Sequence, residues 1–472
     1  MQYDGSHEYR RRVKEKNREK GETLNQVDFA KDSIRQNVIK TAIPMLAAQL
    51  LNLLYNIVDR IYIGRIPGEG TIALGGVGLC FPAIMIVLAF TNLYGVGGAP
   101  LSAIARGQGN KERAERIMNT SFVMLVLTAL VLTAAGEIFL RPLLTAFGAS
   151  DETMKYAFPY LRIYLLGNIA AMIATGMNPF INAQGFPGIG MSAILIGTVA
   201  NIILDPVFIF VFGMGVAGAA IATVISQFLS ALFVLGFLKG RKVELKLKPF
   251  SMKNLDIGII RNITGLGLAS FIMQFTNSLV SVVCNSMLSS FGGDLYISVY
   301  TIVSSVRQIL DTPVGAITDG SSPVLSFNYG AGKPARVKEG IRMVTLMAVG
   351  YTLVMWILVI LFPVFFIRIF SSDSSILEAA IPALHTYFFA FIFQALQYSG
   401  QNVFKSLNQK KQAIFFSLFR KVIMVVPLTL ILPRISGLGP TGVFLAEPIS
   451  NFIGGTACFV TMYLTIYRKL GK

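Results

Sequence analysis

The chain has 472 residues, 54% of them hydrophobic and only 14% charged, with a formal net charge of +17. The apolar residues come in long blocks rather than periodic faces, which marks membrane spans and excludes the soluble globular classes, where about 25% of residues are charged. The cations flank those blocks, so the charge reads as membrane topology rather than as a nucleic-acid surface.

Residues 1–40 are polar and basic, with Arg10, Arg11, Arg12, Lys14, Lys16, Arg18 and Lys20. They lack the apolar stretch of a secretory signal. A cytoplasmic tail is expected, with a short amphipathic helix near 27–40. The apolar blocks then predict twelve spans, near 41–63, 72–99, 119–140, 158–181, 190–212, 216–238, 263–290, 296–325, 341–367, 380–403, 412–432 and 440–466. About 20 residues suffice to cross a bilayer.

An even number of spans returns both ends to one side. The tail, the loops at 106–116, 239–261, 333–342 and 405–421, and Arg468, Lys469 and Lys472 gather the cations there. Only scattered cations such as Arg65, Arg141, Lys155, Arg368 and Arg434 lie opposite. The positive-inside rule makes the basic side the cytoplasm. The expected organisation is an N-lobe over 41–238, a basic cytoplasmic linker over 239–262, and a C-lobe over 263–472 ending in a short tail. Cys80, Cys284 and Cys458 lie in apolar blocks without CxxC spacing, which points to packing rather than to zinc or a redox pair.

The two halves repeat each other. PLSAIARGQGNKERA from Pro100 aligns without gaps to PVLSFNYGAGKPARV from Pro323, so that Gly107, Gly109 and Arg113 fall on Gly330, Gly332 and Arg336. At the same offset Pro159 and Tyr164 fall on Pro382 and Tyr387. One residue further on, Gly213, Gly215, Gly218 and Ala222 fall on Gly437, Gly439, Gly442 and Ala446. Six spans per half give parallel repeats related by an axis along the membrane normal, and transporters of that build bind substrate between the halves.

Two carboxylates sit inside this apolar frame. Asp59 lies near the end of the first block and Asp205 in the phrase NIILDP of the fifth. A charge at membrane depth costs about 2.5–3.5 kcal/mol on insertion scales, so such a residue marks an ion, proton or substrate path. Gln49, Asn52, Asn56 and Asp59 fall on one helical face, with Tyr55 beside them. Asn201 and Asp205 are one turn apart. Pro206 lacks an N–H, which frees the carbonyl of Ile202 and makes a candidate hinge. These oxygens suit a hard cation or an exchanging proton. The expected coupling ion is H+ or a transient Na+ at Asp59, Asn201 and Asp205, with no fixed metal, no cofactor and no catalytic group.

The second half carries Gln274, Asn277, Ser281 and Cys284 at the spacing of Gln49, Asn52, Asn56 and Asp59, so Cys284 stands where Asp59 stands. The counterpart of Asp205 falls near Leu428 or Thr429. The acids therefore occupy one lobe, and the coupling site is expected in the N-lobe. Arg307 and Asp311, one turn apart, predict an intrahelical pair. Asp319 and Glu447 are candidates, with Gln274 and Asn277, for the C-lobe wall of a cavity or for ties between helices. The interior of the spans reads as holding acids with few cations, Arg307 being the main exception.

LLYNIVDRIYIG around Asp59, the GQG and YGAG loops, and NIILDP followed by AGAAIATVISQ resemble the multidrug and toxic compound extrusion (MATE) transporters, across essentially all of 41–470. The resemblance implies an all-α membrane protein of twelve helices in two pseudo-symmetric six-helix lobes around a V-shaped central cavity. It implies export of bulky organic cations in exchange for H+ or Na+. It adds Thr223 and Tyr160 as polar partners of Asp59, Asn201 and Asp205, and matches Pro44 to a proline at which the first helix bends. Some relatives carry a C-lobe cation site with an acid in the seventh span; Gln274 in that region argues against one here. Asp311 and Asp319 have no obvious family match.

The reading is a multi-pass antiporter of the plasma (inner) membrane. It is expected as a monomer whose partners are the lipid bilayer and small organic cations, with no nucleic acid. Two histidines, no HExxH and no nucleophile elbow argue against an enzyme. The rival is a flippase for a lipid-linked sugar or another amphiphile of the same wider superfamily, which a strongly basic central cavity would favour.

Overall fold

The computed structural model describes residues 26–249, 255–371 and 373–470. The basic tail at 10–20, part of the linker at 250–254, and Lys472 lie outside the described residues. In the first half, α1 spans Ile34–Gly64, α2 Gly70–Gly78, α3 Phe81–Gly107, α4 Lys111–Ala146, α5 Asp151–Leu166, α6 Asn168–Ala183, α7 Pro187–Pro206 and α8 Gly215–Lys239. In the second half, α9 spans Ile257–Gly330, α10 Pro334–Leu361, α11 Pro363–Arg368, α12 Ser374–Phe388, α13 Phe391–Ser406, α14 Lys410–Leu418, α15 Val426–Ile431 and α16 Pro440–Met462.

Among the described residues, nine helical segments are long and apolar enough to cross a bilayer, and the pairs α5–α6 and α12–α13 make two further spans bent by 57° and 45°. The second arm of α9 completes twelve. The backbone leaves helical values at Gly293 (φ 66°, ψ −166°), which splits α9 into two arms. The second arm is less apolar because it carries Arg307, Asp311 and Asp319. Large apolar side chains such as Val131, Ile138, Phe139 and Phe365 stay exposed on the outer surface, as a lipid-facing belt requires.

The repeat is visible in the backbone. The bent pairs break at Gly167 and Ala390, at the offset that relates Pro159 to Pro382. Gly109 and Gly332 both have positive φ, 74° and 64°. Glycine adopts that left-handed conformation without the Cβ penalty that other residues meet.

The lobes meet on the face that carries the basic loops. A Cβ on Gly107 would strike the carbonyl of Phe327, and one on Gly330 would strike the carbonyl of Ile104. Ile104 and Phe327 are themselves repeat counterparts, so this joint is symmetric about the axis between the lobes. Gly97 likewise faces Gly267, and Gly320 faces Thr41 and Met45. Further from that face the lobes part. Asn52 and Asn56 on α1, and Asn277 and Ser281 on α9, are exposed.

Two segments close the basic face. α1 starts at Ile34, earlier than expected, with Ser33 capping it by accepting from the Gln36 N–H at 3.3 Å. The expected helix over 27–40 is therefore helical only from Ile34. Before it, 26–33 runs as a strap between the lobes. Val27 N–H donates to the Gly185 carbonyl at 2.8 Å on the N-lobe. On the C-lobe side Arg336 donates to the carbonyls of Phe29 (3.0 Å) and Asp32 (2.7 Å), and Asn328 also donates to Phe29. Phe29 is 1% exposed. The linker after α8 is clipped to the N-lobe. Leu245 N–H donates to Gln184 at 2.8 Å, and Lys248 N–H to Asn119 at 2.7 Å.

The N-lobe core is one continuous apolar cluster, whereas the C-lobe core divides into clusters around Phe388 and Phe404.

Candidate functional site

The N-lobe pocket is built by α1, α7 and α8. Asp205 is fully buried (0% exposed) and Asp59 nearly so (7%). The i,i+4 spacing on α7 lets Asn201 Nδ2 donate to Asp205 Oδ1 at 3.0 Å. The same amide donates to Thr223 Oγ1 on α8 at 3.4 Å, and Thr223 shares a 3.4 Å hydrogen bond with Tyr55 OH on α1. Asp59 lies within electrostatic reach of Asp205, Tyr55 and Tyr160. Its sequence neighbour Arg60 is turned onto the Phe81 ring, 4.6 Å from the centroid. Asp59 Oδ1, Asn201 Oδ1 and Asp205 Oδ2 are buried with no hydrogen-bond partner among the described residues. An unsatisfied buried acceptor is costly, so these three oxygens are left open for a donor or a cation that the protein itself does not supply.

The rest of the expected polar stripe does not join this pocket. Asn56 donates to the Asn52 carbonyl at 2.7 Å and both stay exposed. Gln49 is half-buried, a turn below. The physical reason is the α1 face itself: Tyr55 and Asp59 point into the lobe, while Asn52 and Asn56 point to the space beside it. Pro44 lies inside α1 and faces a narrow gap lined by Asn178, Asn182 and Gly320. At Pro206 the α-helix ends in a π turn, Val207–Val211. A wide turn accommodates the missing N–H in a span that must otherwise satisfy every carbonyl.

In the C-lobe the arrangement departs from the sequence reading. Arg307 and Asp311 do pair, Nε to Oδ2 at 3.2 Å. Asp319, however, pairs with Lys405 at 3.1 Å and is partly exposed. Gln274 donates across to Met85 Sδ of the N-lobe at 3.0 Å, so it belongs to the joint between lobes, and Asn277 is exposed. Glu447 is the centre of a buried cluster. Its Oε1 accepts from Arg307 at 2.5 Å, Arg420 at 2.7 Å and Lys421 at 3.1 Å. Arg307 also donates to Tyr387 OH (2.9 Å) and Gln394 (3.1 Å), and Gln394 donates to Asp311 at 2.7 Å.

The reading of an interior with few cations is thus corrected. Arg420 and Lys421 belong to the membrane interior, not to the loop at 405–421, and Lys405 is buried too. They sit in a second π turn, Phe419–Val425, whose width turns two adjacent side chains toward Glu447. The signal was present, because both fall inside the predicted span 412–432. Proximity to a basic loop concealed it.

Repeat counterparts connect the two pockets. Glu447 stands where Thr223 stands, one residue after the matched alanines Ala222 and Ala446, and Tyr387 stands where Tyr164 stands. Both lobes therefore hold a polar pocket at the same place in the fold, acidic in one and rich in cations in the other.

The fold and the paired pockets define a two-lobed helical membrane transporter. The MatE family model matches the chain twice, over 44–207 and 269–431, once per repeat, and the chain belongs to that family. Multidrug export protein MepA of Staphylococcus aureus (strain MRSA252) is 24% identical over 439 residues, which cover 92% of this chain and 95% of that protein. The MepA of Staphylococcus saprophyticus is 25% identical over 442 residues, with the same shares. Among solved structures, an outward-facing multidrug resistance MATE family transporter of the MOP superfamily has TM-score 0.87 at 23% identity, covering 94% of this chain and 98% of its own. A MOP superfamily transporter from Pyrococcus furiosus Vc1 has TM-score 0.87 at 23% identity, with 93% and 98% covered.

Proposed function

We propose that this protein is a cation-coupled multidrug antiporter that exports organic, often cationic, amphiphiles across the plasma membrane by alternating access. The observation that carries the reading is the enclosed set Asp59, Asn201, Asp205 and Thr223 with its three unpartnered oxygens. The likeness to proteins named for multidrug export supports the substrate class. One chain supplies both lobes, so a monomer suffices.

With the basic face in the cytoplasm, the glycine joint closes the inner side and the exposed Asn52, Asn56, Asn277 and Ser281 look outward. From the outside, H+ or Na+ enters the N-lobe pocket and neutralises Asp59 and Asp205. Asn201 keeps one oxygen of Asp205 fixed and leaves the other to the ion. The drug departs, the joint at Gly107 and Gly330 opens, the ion leaves inward and a new drug binds. Coupling requires that ion and drug favour different states, because a ligand with equal affinity for both shifts nothing.

The test is dye efflux from proteoliposomes under an imposed pH gradient or an imposed Na+ gradient, applied separately. One of the two must drive efflux; failure of both overturns the reading. A second reading, a flippase for an anionic amphiphile, is favoured by the buried Arg307, Arg420 and Lys421. It predicts gradient-independent scrambling of a phosphate-bearing lipid in the same vesicles.

A further inference from the structure

The C-lobe cluster contains more positive than negative charge. Arg307, Arg420 and Lys421 face Glu447, and Asp311 adds the second carboxylate. Three cations against two carboxylates leave one uncompensated charge, and all five side chains are buried or nearly so. An unbalanced charge in a low-dielectric interior is strongly disfavoured. Among the described residues the remaining neighbours are amides, a thiol and phenols, which are neutral in their ordinary protonation state near pH 7 and do not supply the missing negative charge. They are Cys284 and Tyr300 on the first and second arms of α9, Tyr387 on α12, Gln394 and Tyr398 on α13, and Asn451 on α16. Asp319 is taken by Lys405.

Only one member of the cluster can remove the imbalance. Arginine keeps its proton in proteins, whereas a lysine amine can release it and still donate a hydrogen bond. We propose that Lys421 is a proton-exchanging site, a C-lobe counterpart to the N-lobe acids. The inference rests on the antiport reading for its role in transport, but not for its chemistry. In the step, the Lys421 ammonium loses H+ to water. The neutral amine stays on Glu447, and the cluster is then balanced. A bound cationic drug favours the deprotonated form by simple repulsion, and reprotonation after the drug has left favours its exclusion. This has the sign that exchange of drug for proton demands.

The geometry supports the assignment independently of that role. Lys421 Nζ reaches both oxygens of Glu447, at 3.1 and 3.4 Å, while Arg420 also holds Asn451 at 2.7 Å and Arg307 also holds Tyr387, Gln394 and Asp311. The arginines tie helices together. Among the described residues the Lys421 amine hydrogen-bonds only to the Glu447 carboxylate, so changing its charge breaks no other tie.

The experiment compares Lys421→Met and Lys421→Gln, which fix the neutral state, with Lys421→Arg, which fixes the charged one. Thermal unfolding of purified full-length protein is followed across pH. The neutral variants are expected to match or exceed wild type, with the difference vanishing toward alkaline pH. Lys421→Arg is expected to lose that pH dependence. Proton release on binding tetraphenylphosphonium, read with a pH dye in unbuffered solution, is expected to fall by about one proton per bound cation in every Lys421 variant. Asp205→Asn separates the two sites: it reports on the N-lobe and leaves the Lys421-linked pH dependence of unfolding in place. If the neutral variants unfold earlier than wild type at every pH, or all variants release as many protons as wild type, Lys421 is a fixed structural cation and the proposal fails.

Discussion

Cys284 and Thr429 meet in the second lobe, Sγ to Oγ1 at 4.0 Å, at the places where the repeat puts Asp59 and Asp205 in the first. The duplication preserved the pocket and exchanged its chemistry. The acid moved to Glu447, on the helix that carries Thr223 in the first lobe, and three cations gathered round it. An acid restored at Cys284 would lie within reach of Lys421. Cys284→Asp is therefore expected to be tolerated, with a melting temperature at or above wild type, although burying a new carboxylate in an apolar site normally destabilises.

Removal of Glu447 has the opposite sign. Breaking a buried ion pair from one side costs about 3–5 kcal/mol, because the partner charge is left uncompensated. Glu447→Gln strands Arg307, Arg420 and Lys421 together. The expected outcome is a large drop in thermal stability in detergent, measured by unfolding of the purified variant, far beyond that of an exposed substitution such as Glu339→Gln.

The twelve spans, the repeat and the Asn201–Asp205 pair were legible in the sequence because each rests on local spacing or on apolar length. The bends at Gly167 and Ala390 were not. Both interrupt continuous apolar runs, and only the packing of the following helix sets their angle. The strap at 26–33 was hidden for a related reason, since its partners Gly185, Asn328 and Arg336 are far along the chain. Arg420 and Lys421 read as loop residues in the sequence because charge near a span boundary fits the positive-inside rule, and their buried partner Glu447 is distant along the chain.

The glycine joint packs the two lobes against each other at the basic face. A Cβ at Gly107 or Gly330 meets backbone atoms, not the end of a flexible side chain, so the lobes themselves must give way. Gly107→Ala and Gly330→Ala are expected to part the basic face and to depopulate the closed form. Spin labels at the exposed Lys111 and Glu339 would report a longer distance between lobes. The native Cys80, Cys284 and Cys458 are buried, which limits competing labelling. An unchanged distance distribution would contradict this role for the joint.

The strap is expected to act in the same direction. Phe29 is fully buried against Phe327, with ring centroids 5.8 Å apart, and deleting such a ring costs about 3–5 kcal/mol. Because the strap is continuous with α1, its ties to Asn328 and Arg336 are the ones that inner opening must release. Phe29→Ala or Arg336→Gln should raise the inner-open population seen by the same label pair and lower efflux, while drug binding persists.

Coupling of ion movement to drug export through the N-lobe pocket is probed most sharply by Asp205→Asn. The amide keeps the shape of the side chain and an acceptor for Asn201 Nδ2, so the fold should hold. Dye efflux from proteoliposomes under the driving gradient is expected to vanish in this variant while thermal unfolding stays close to wild type. Gradient-driven efflux by Asp205→Asn at the wild-type rate would contradict the account.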